Sequence, residues 1–140
     1  FPSCAAAFMP SPFTAMYSAT KAFVSRFATS LAAEAGPQGV DVLAVHPSPV
    51  NSNFLQGTAR IRAAEQFYKF ASGPEAVPPM IFRKVGRSQV LADLGGVAIG
   101  MRMLTNLIDD SFFASIFAKF AGWMPDYIEH AAKAGMTGHL

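Results

Sequence analysis

The run Val40-Asp41-Val42-Leu43-Ala44-Val45-His46-Pro47-Ser48-Pro49 decides how the chain folds. From Val40 to Val45 every residue but Asp41 is apolar, and the run follows directly on Gly39. A short, nearly continuous apolar segment is what a strand buried on both faces requires, and such strands belong to parallel sheets covered by helices. His46-Pro47-Ser48-Pro49 ends it, because the two prolines exclude both a helix and a central strand. Upstream, Tyr17, Lys21, Val24, Phe27, Leu31 and Glu34 recur at helical spacing from about Phe13. Gly36-Pro37 stops that helix. A helix feeding a buried strand is the grammar of an α/β fold.

The pattern extends downstream. Asn53 to about Ala71 is helix-compatible, with Phe54, Ile61, Phe67 and Tyr68 apolar and Arg60, Arg62, Glu65 and Lys69 polar. Ser72-Gly73-Pro74-Glu75 reads as a helix start, with proline early and an acid in the first turn. That helix is expected to end at Gly86, its opening turns made irregular by Pro78 and Pro79. Gln89 to Ala92 is a short strand, and Gly95-Gly96 a turn. Val97 to Trp123 is a long stretch rich in Phe and Met, and Pro125 closes it. The tail to Leu140 carries little packing signal. Two strands cannot make a sheet buried on both faces. The expected fold class is therefore α/β, the second half of a larger parallel-sheet domain.

Composition narrows the function classes. The chain has 140 residues, 51% hydrophobic and 14% charged, against about 25% charged in an ordinary soluble domain. Disorder is excluded. A single cysteine, Cys4, excludes a disulfide scaffold. The net charge of +2 comes from scattered residues, so nucleic acid is not an expected partner. His46, His130 and His139 stand too far apart in sequence for a metal site. The chain opens on Phe1 with no basic and apolar leader, so no signal peptide is read there. The expectation is a portion of a longer protein.

Tyr17-Ser18-Ala19-Thr20-Lys21 carries the chemistry. Residues four apart share a helix face. A phenol ordinarily titrates near pH ~10, and a neighbouring ammonium favours the phenolate. Tyr17 and Lys21 therefore form a tuned acid/base pair, although the same spacing is commonplace on helix surfaces that do no chemistry.

The segment from Ser3 to Lys21, with its Pro10-Ser11-Pro12 turn and Tyr17-x-x-x-Lys21, resembles the active-site segment of the short-chain dehydrogenases/reductases. After the helix and the buried strand, Pro47-Ser48-Pro49-Val50-Asn51-Ser52 is similar to that family's Pro-Gly-x-Val/Ile-x-Thr turn. The resemblance runs from residue 1 to roughly residue 92. It implies the C-terminal half of a doubly wound Rossmann-type parallel sheet over 1–92, followed by an apolar helical extension over 93–140. The implied activity is hydride transfer between NAD(P)(H) and a carbonyl/alcohol pair on an apolar substrate. Tyr17 is the implied proton donor, and Lys21 its tuning partner and ligand of the nicotinamide ribose. Pro47, Ser48, Val50 and Ser52 are the implied holders of the carboxamide, chiefly through the Val50 backbone and the Ser52 hydroxyl. Either NADP or NAD is implied, with NADP slightly favoured.

Three departures qualify the resemblance. The family's catalytic serine falls on Cys4, thirteen residues before Tyr17, and Ser3 precedes it. Neighbours in an extended segment point to opposite faces, so Ser3 and Cys4 are joint candidates, with Cys4 preferred. Ser48 replaces a glycine, which matters only if that position needs positive φ. The family's glycine-rich phosphate turn has no counterpart, since Gly95-Gly96-Val97-Ala98-Ile99-Gly100 has neither the spacing nor the place.

By position, Asn53 to Ala71 corresponds to the family's substrate lid, where Phe54, Phe67 and Tyr68 line a pocket or form ordinary core. Residues 97–123 pack as helices on the sheet or a twin subunit, or rest on a membrane surface through Phe112, Phe113, Ile116, Phe117, Phe120, Lys119 and Trp123. The charges Arg102, Asp109 and Asp110 argue against a span. A homo-oligomer in the cytoplasm, or on the endoplasmic reticulum membrane, is expected. The alternative to an enzyme is a non-catalytic remnant serving as an interaction or membrane-surface module.

Overall fold

The computed structural model describes residues 1–53, 62–87 and 89–133. Its sheet has two regular strands. β1, Ala44–Pro47, pairs in parallel with β2, Leu91–Leu94, placing Ala44 opposite Leu91 and Pro47 opposite Leu94. On the other edge of β1, Pro2 bridges Val45 in parallel. The Ser3 N–H donates to the Val45 carbonyl at 2.9 Å, and the Val45 N–H donates to that of Phe1 at 3.0 Å. β1 is thus the central member of three parallel extended segments.

Both strands lie further along the chain than the apolar runs predict. The run beginning at Val40 gives up its first residues to the preceding helix. The Val40 N–H closes onto the Ala35 carbonyl at 3.3 Å, and its side chain stays 51% exposed. The strand instead takes in His46 and Pro47. Proline, which has no N–H to give, is tolerated because the parallel ladder draws its donor toward β2 from Ser48, whose N–H reaches the Leu94 carbonyl at 2.7 Å. Similarly, β2 is Leu91–Leu94 rather than 89–92, so it crosses the boundary expected between sheet domain and helical extension.

α1, Ala15–Ala35, packs against the 3-10 turn Ala5–Phe8 and against β1, burying Ser25 and Ala28. Gly39, at φ 79°, ends the turn that follows it. α2, Arg62–Tyr68, falls within the helix expected over 53–71. Residues 54–61, and with them Phe54, lie outside the described residues, as does the side chain of Phe67. A 3-10 turn, Pro74–Ala76, leads into α3, Val77–Phe82. Pro78 and Pro79 fall in its first turn, where helical N–H groups have no partner to lose. Val77, Met80 and Ile81 of α3 join Leu43 in packing on the buried Val45, Ala92 and Leu94.

The apolar stretch 97–123 is two helices, α4, Gly96–Leu107, and α5, Asp110–Phe120. Ile108 is extended, and Asp109 caps α5 by accepting the Ser111 N–H at 2.7 Å. Among the described residues, no helix is long and apolar enough to cross a membrane. The tail, expected to contribute little, forms α6, Pro125–Lys133, with Asp126 buried to 2% exposure. Its carboxylate accepts the Arg62 N–H at 2.7 Å and so caps α2.

Candidate active site

Residues 1–3 run beside β1, so successive side chains alternate in direction. Ser3 turns inward and is buried to 5% exposure. Its Oγ donates to the Lys21 carbonyl at 2.8 Å and lies 2.9 Å from Ser25 Oγ. Cys4 turns the other way, is partly exposed, and hydrogen-bonds the Tyr17 side chain. Of the joint candidates, Cys4 meets Tyr17, and Ser3 does not enter the site.

Lys21 lies one turn beyond Tyr17 on the same face. Its Nζ sits over the phenol ring, 5.6 Å from the centroid, and reaches the Pro2 carbonyl at 3.4 Å. The spacing therefore brings the pair together, but the ammonium faces the ring. Tyr17 titrates above its ordinary value of 10.0. Burial is the largest cause, followed by the hydrogen bond to Cys4 and the charges that Cys4 and Tyr68 acquire on ionisation. The pull toward the phenolate expected of Lys21 is not among these causes. Tyr68, at the end of α2, is also raised, first by burial and then by Cys4. The structure thus gathers Cys4, Tyr17 and Tyr68 within electrostatic reach of one another.

The turn after β1 divides its duties. The Ser72 N–H donates to the Pro49 carbonyl, and the Asn51 N–H to that of Ser72, both at 2.9 Å. In such a parallel bridge, the N–H and C=O of Val50 itself point away from Ser72. They are the groups free in direction to meet a planar amide. Ser52 is exposed beside them. Ser48 is not so placed. It is buried to 8% exposure, and its Oγ accepts the Ala98 N–H of α4 at 3.1 Å. The hydroxyl expected to face a cofactor instead fastens the first turn of α4. Phe13 is the sole described non-glycine residue at positive φ, so serine at 48 meets no backbone obstacle. Gly95, by contrast, must be glycine. Its φ is 92°, and a Cβ there would lie 2.6 Å from Ser48 Oγ.

Sequence reasoning missed the cover over the turn that precedes Tyr17. Phe13 adopts φ 65°, a conformation that costs a non-glycine residue roughly 1–2 kcal/mol. Its ring stacks on His130 at 4.9 Å and lies 6.3 Å from Tyr127, both on α6. The signal was present in Pro125-Asp126, a proline and an acid opening a helix. Reading Pro125 only as a terminator concealed it.

The structure thus sets a tyrosine–lysine pair on the helix that packs against the central strand of an α/β fold. Residues 2–62 match the family model described as short chain dehydrogenase. A short-chain dehydrogenase from Streptomyces avermitilis has a similar solved structure, with a TM-score of 0.60 at 20% sequence identity. The similarity covers 95% of this chain and 50% of that one, so the chain spans about half the length of the structure it matches. No curated protein matches the chain.

Proposed function

We propose that this chain is the C-terminal half of a short-chain dehydrogenase/reductase, and that the whole protein interconverts a carbonyl and an alcohol on an apolar substrate. The observation that carries the reading is the convergence of Cys4 and Lys21 on Tyr17. Tyr17 gives its hydroxyl proton to the carbonyl oxygen in reduction and takes it back in oxidation. Its raised affinity for the proton keeps the hydroxyl protonated at neutral pH, and release of that proton falls to the moment when the carbonyl oxygen gains charge. The Cys4 thiol, a weak donor, polarises the same oxygen. Tyr68 closes the apolar side.

The residues present suit the nicotinamide end of NADP or NAD, with NADP the working choice. The Val50 N–H and C=O fit its carboxamide and Lys21 its ribose. The bound nicotinamide supplies or accepts the hydride. The phosphate-binding turn is assigned to the other half of the whole protein. The outward Met16, Phe23 and Phe27 of α1, all exposed, suit a homo-oligomer contact. Phe112, Ile116, Phe120 and Trp123, also exposed, suit peripheral contact with the endoplasmic reticulum from the cytoplasm.

The test is NADPH oxidation by the complete protein with apolar ketones and aldehydes, beside a Lys21→Met variant. Turnover that the variant loses along with cofactor affinity supports the reading. No turnover with any carbonyl, and no NADPH or NADH binding, defeats it. One observation favours a second reading, a non-catalytic remnant acting as an interaction or membrane-surface module: a thiol stands where the family's serine is expected. Binding to lipid vesicles in the absence of cofactor binding would select it.

A further inference from the structure

Behind the site lies a closed polar relay for which the proposed reaction has no use. His46 is fully buried in β1. Its Nε2 lies 2.8 Å from Ser25 Oγ, which lies 2.9 Å from Ser3 Oγ. Both hydroxyls reach the Lys21 carbonyl, at 2.8 Å from Ser3 and 2.9 Å from Ser25. On its other flank, His46 Nδ1 is 3.2 Å from Asp93 Oδ1, and Arg102 holds Asp93 Oδ2 at 2.9 Å. Nδ1 and Oδ1 are out of line for a hydrogen bond, so their contact is Coulombic. The Phe8 ring covers the imidazole, with centroids 4.7 Å apart.

Burial lowers the His46 pKa despite the pull of Asp93, and Arg102 pushes the same way. The ring is therefore neutral at neutral pH. With its proton on Nδ1, toward Asp93, Nε2 accepts from the Ser25 hydroxyl. With the Ser25 proton given to Nε2, the single Ser3 proton is shared between Ser25 Oγ at 2.9 Å and the Lys21 carbonyl at 2.8 Å. Hydrogen-bonded groups in a buried chain of this kind polarise and rigidify one another, and the chain here runs from Nε2 through the two hydroxyls.

Both ends of the relay adjoin the site. Ser3 precedes Cys4, and the carbonyl belongs to the residue whose ammonium covers Tyr17. We infer that His46 is a positioning residue: through Ser25 and Ser3 it fixes the placement of Cys4 and of the Lys21 turn against Tyr17. The inference rests on the reductase reading. Its logic is that a misplacement of about 1 Å can cost on the order of 10²-fold in rate.

The experiment is a double-mutant cycle in the complete protein with Ser25→Ala, His46→Gln and both together. Two quantities are followed: steady-state rates, and the iodoacetamide alkylation rate of Cys4 read by peptide mass spectrometry. Each single variant is expected to lower kcat about tenfold or more while KM for NADPH stays within about twofold, as loss of positioning without loss of binding requires. Each should also shift the Cys4 rate about threefold, and the double variant should match the worse single one, as members of one network do. Additive losses, or a lowered Tm with kcat and the Cys4 rate unchanged, overturn the inference. If His46→Gln does not fold, Ser25→Ala decides by the same two readouts. If the complete protein reduces nothing, the reductase reading fails by itself, and the Cys4 rates alone decide this one.

Discussion

Ser3 and Cys4 are neighbours in one extended segment, yet they face two different chemistries. On the Ser3 side the hydroxyls are spent on the protein's own groups. Ser3, Ser25 and His46 bond one another and the Lys21 carbonyl in a buried chain, and Ser48 fastens α4 at the far end of β1. On the Cys4 side the groups are half-exposed and few. A thiol meets a phenol whose proton is held tightly, and a second phenol stands by. The frame bonds chiefly to itself, whereas the thiol and phenols of the site are only partly buried. Such a contrast separates groups that hold a fold from groups that act on something else.

The largest effect that would sharpen this contrast is on the site side. Tyr17→Phe in the complete protein removes the transferable proton and leaves the ring beneath Lys21. Carbonyl reduction is expected to fall about 10²–10⁴-fold, with the dissociation constant for NADPH within about twofold and Tm nearly unchanged. Retained turnover would break the contrast at its centre. On the frame side, Gly95→Ala should do the reverse. A Cβ there meets Ser48 Oγ at 2.6 Å on a backbone of φ 92°, and the expected loss is on the order of 2–3 kcal/mol in urea unfolding. A variant as stable as the parent would show that Ser48 is not clamped.

Cys4→Ser tests the boundary between the sides. A hydroxyl is a better donor than a thiol. The expected gain in kcat is about threefold to tenfold, the worth of one neutral hydrogen bond of about 1 kcal/mol. An unchanged rate would place the polarising group elsewhere.

How much of this could be read from the sequence depends on how far apart the partners are. Tyr17 and Lys21 are legible because helical period alone brings them together, and Cys4 is separable from Ser3 because alternation along an extended segment does the same. What the ammonium does to the phenol is not legible, since it depends on desolvation and on the face of the ring that Lys21 occupies. Strand positions were offset because apolar runs mark burial, whereas the ladder is set by pairing between residues 1–3, 44–47 and 91–94. His46 and Asp93 become partners only through that register. Read alone, His46 is an isolated histidine before a proline. The hydroxyl of Ser48 was assigned by its place in a motif, and its true partner, Ala98, lies 50 residues away.

The smallest expected effect separates the two sides by pH. His46, on the frame side, has a folded pKa lowered from 6.5. The stability it contributes is present above that unfolded value and is lost as pH falls through the folded one. Tyr17 and Tyr68, on the site side, have folded pKa values raised from 10.0. Their contribution is present below the unfolded value and is lost as pH rises toward the folded ones. Urea midpoints measured from about pH 5 to 11 should therefore decline at both ends. His46→Gln is expected to flatten the acid limb alone, and Tyr68→Phe to soften the alkaline limb by the smaller share, because Tyr68 is less buried than Tyr17. If either substitution altered the opposite limb, the relay and the site would be one electrostatic unit, and the division at the Ser3–Cys4 bond would have to be abandoned.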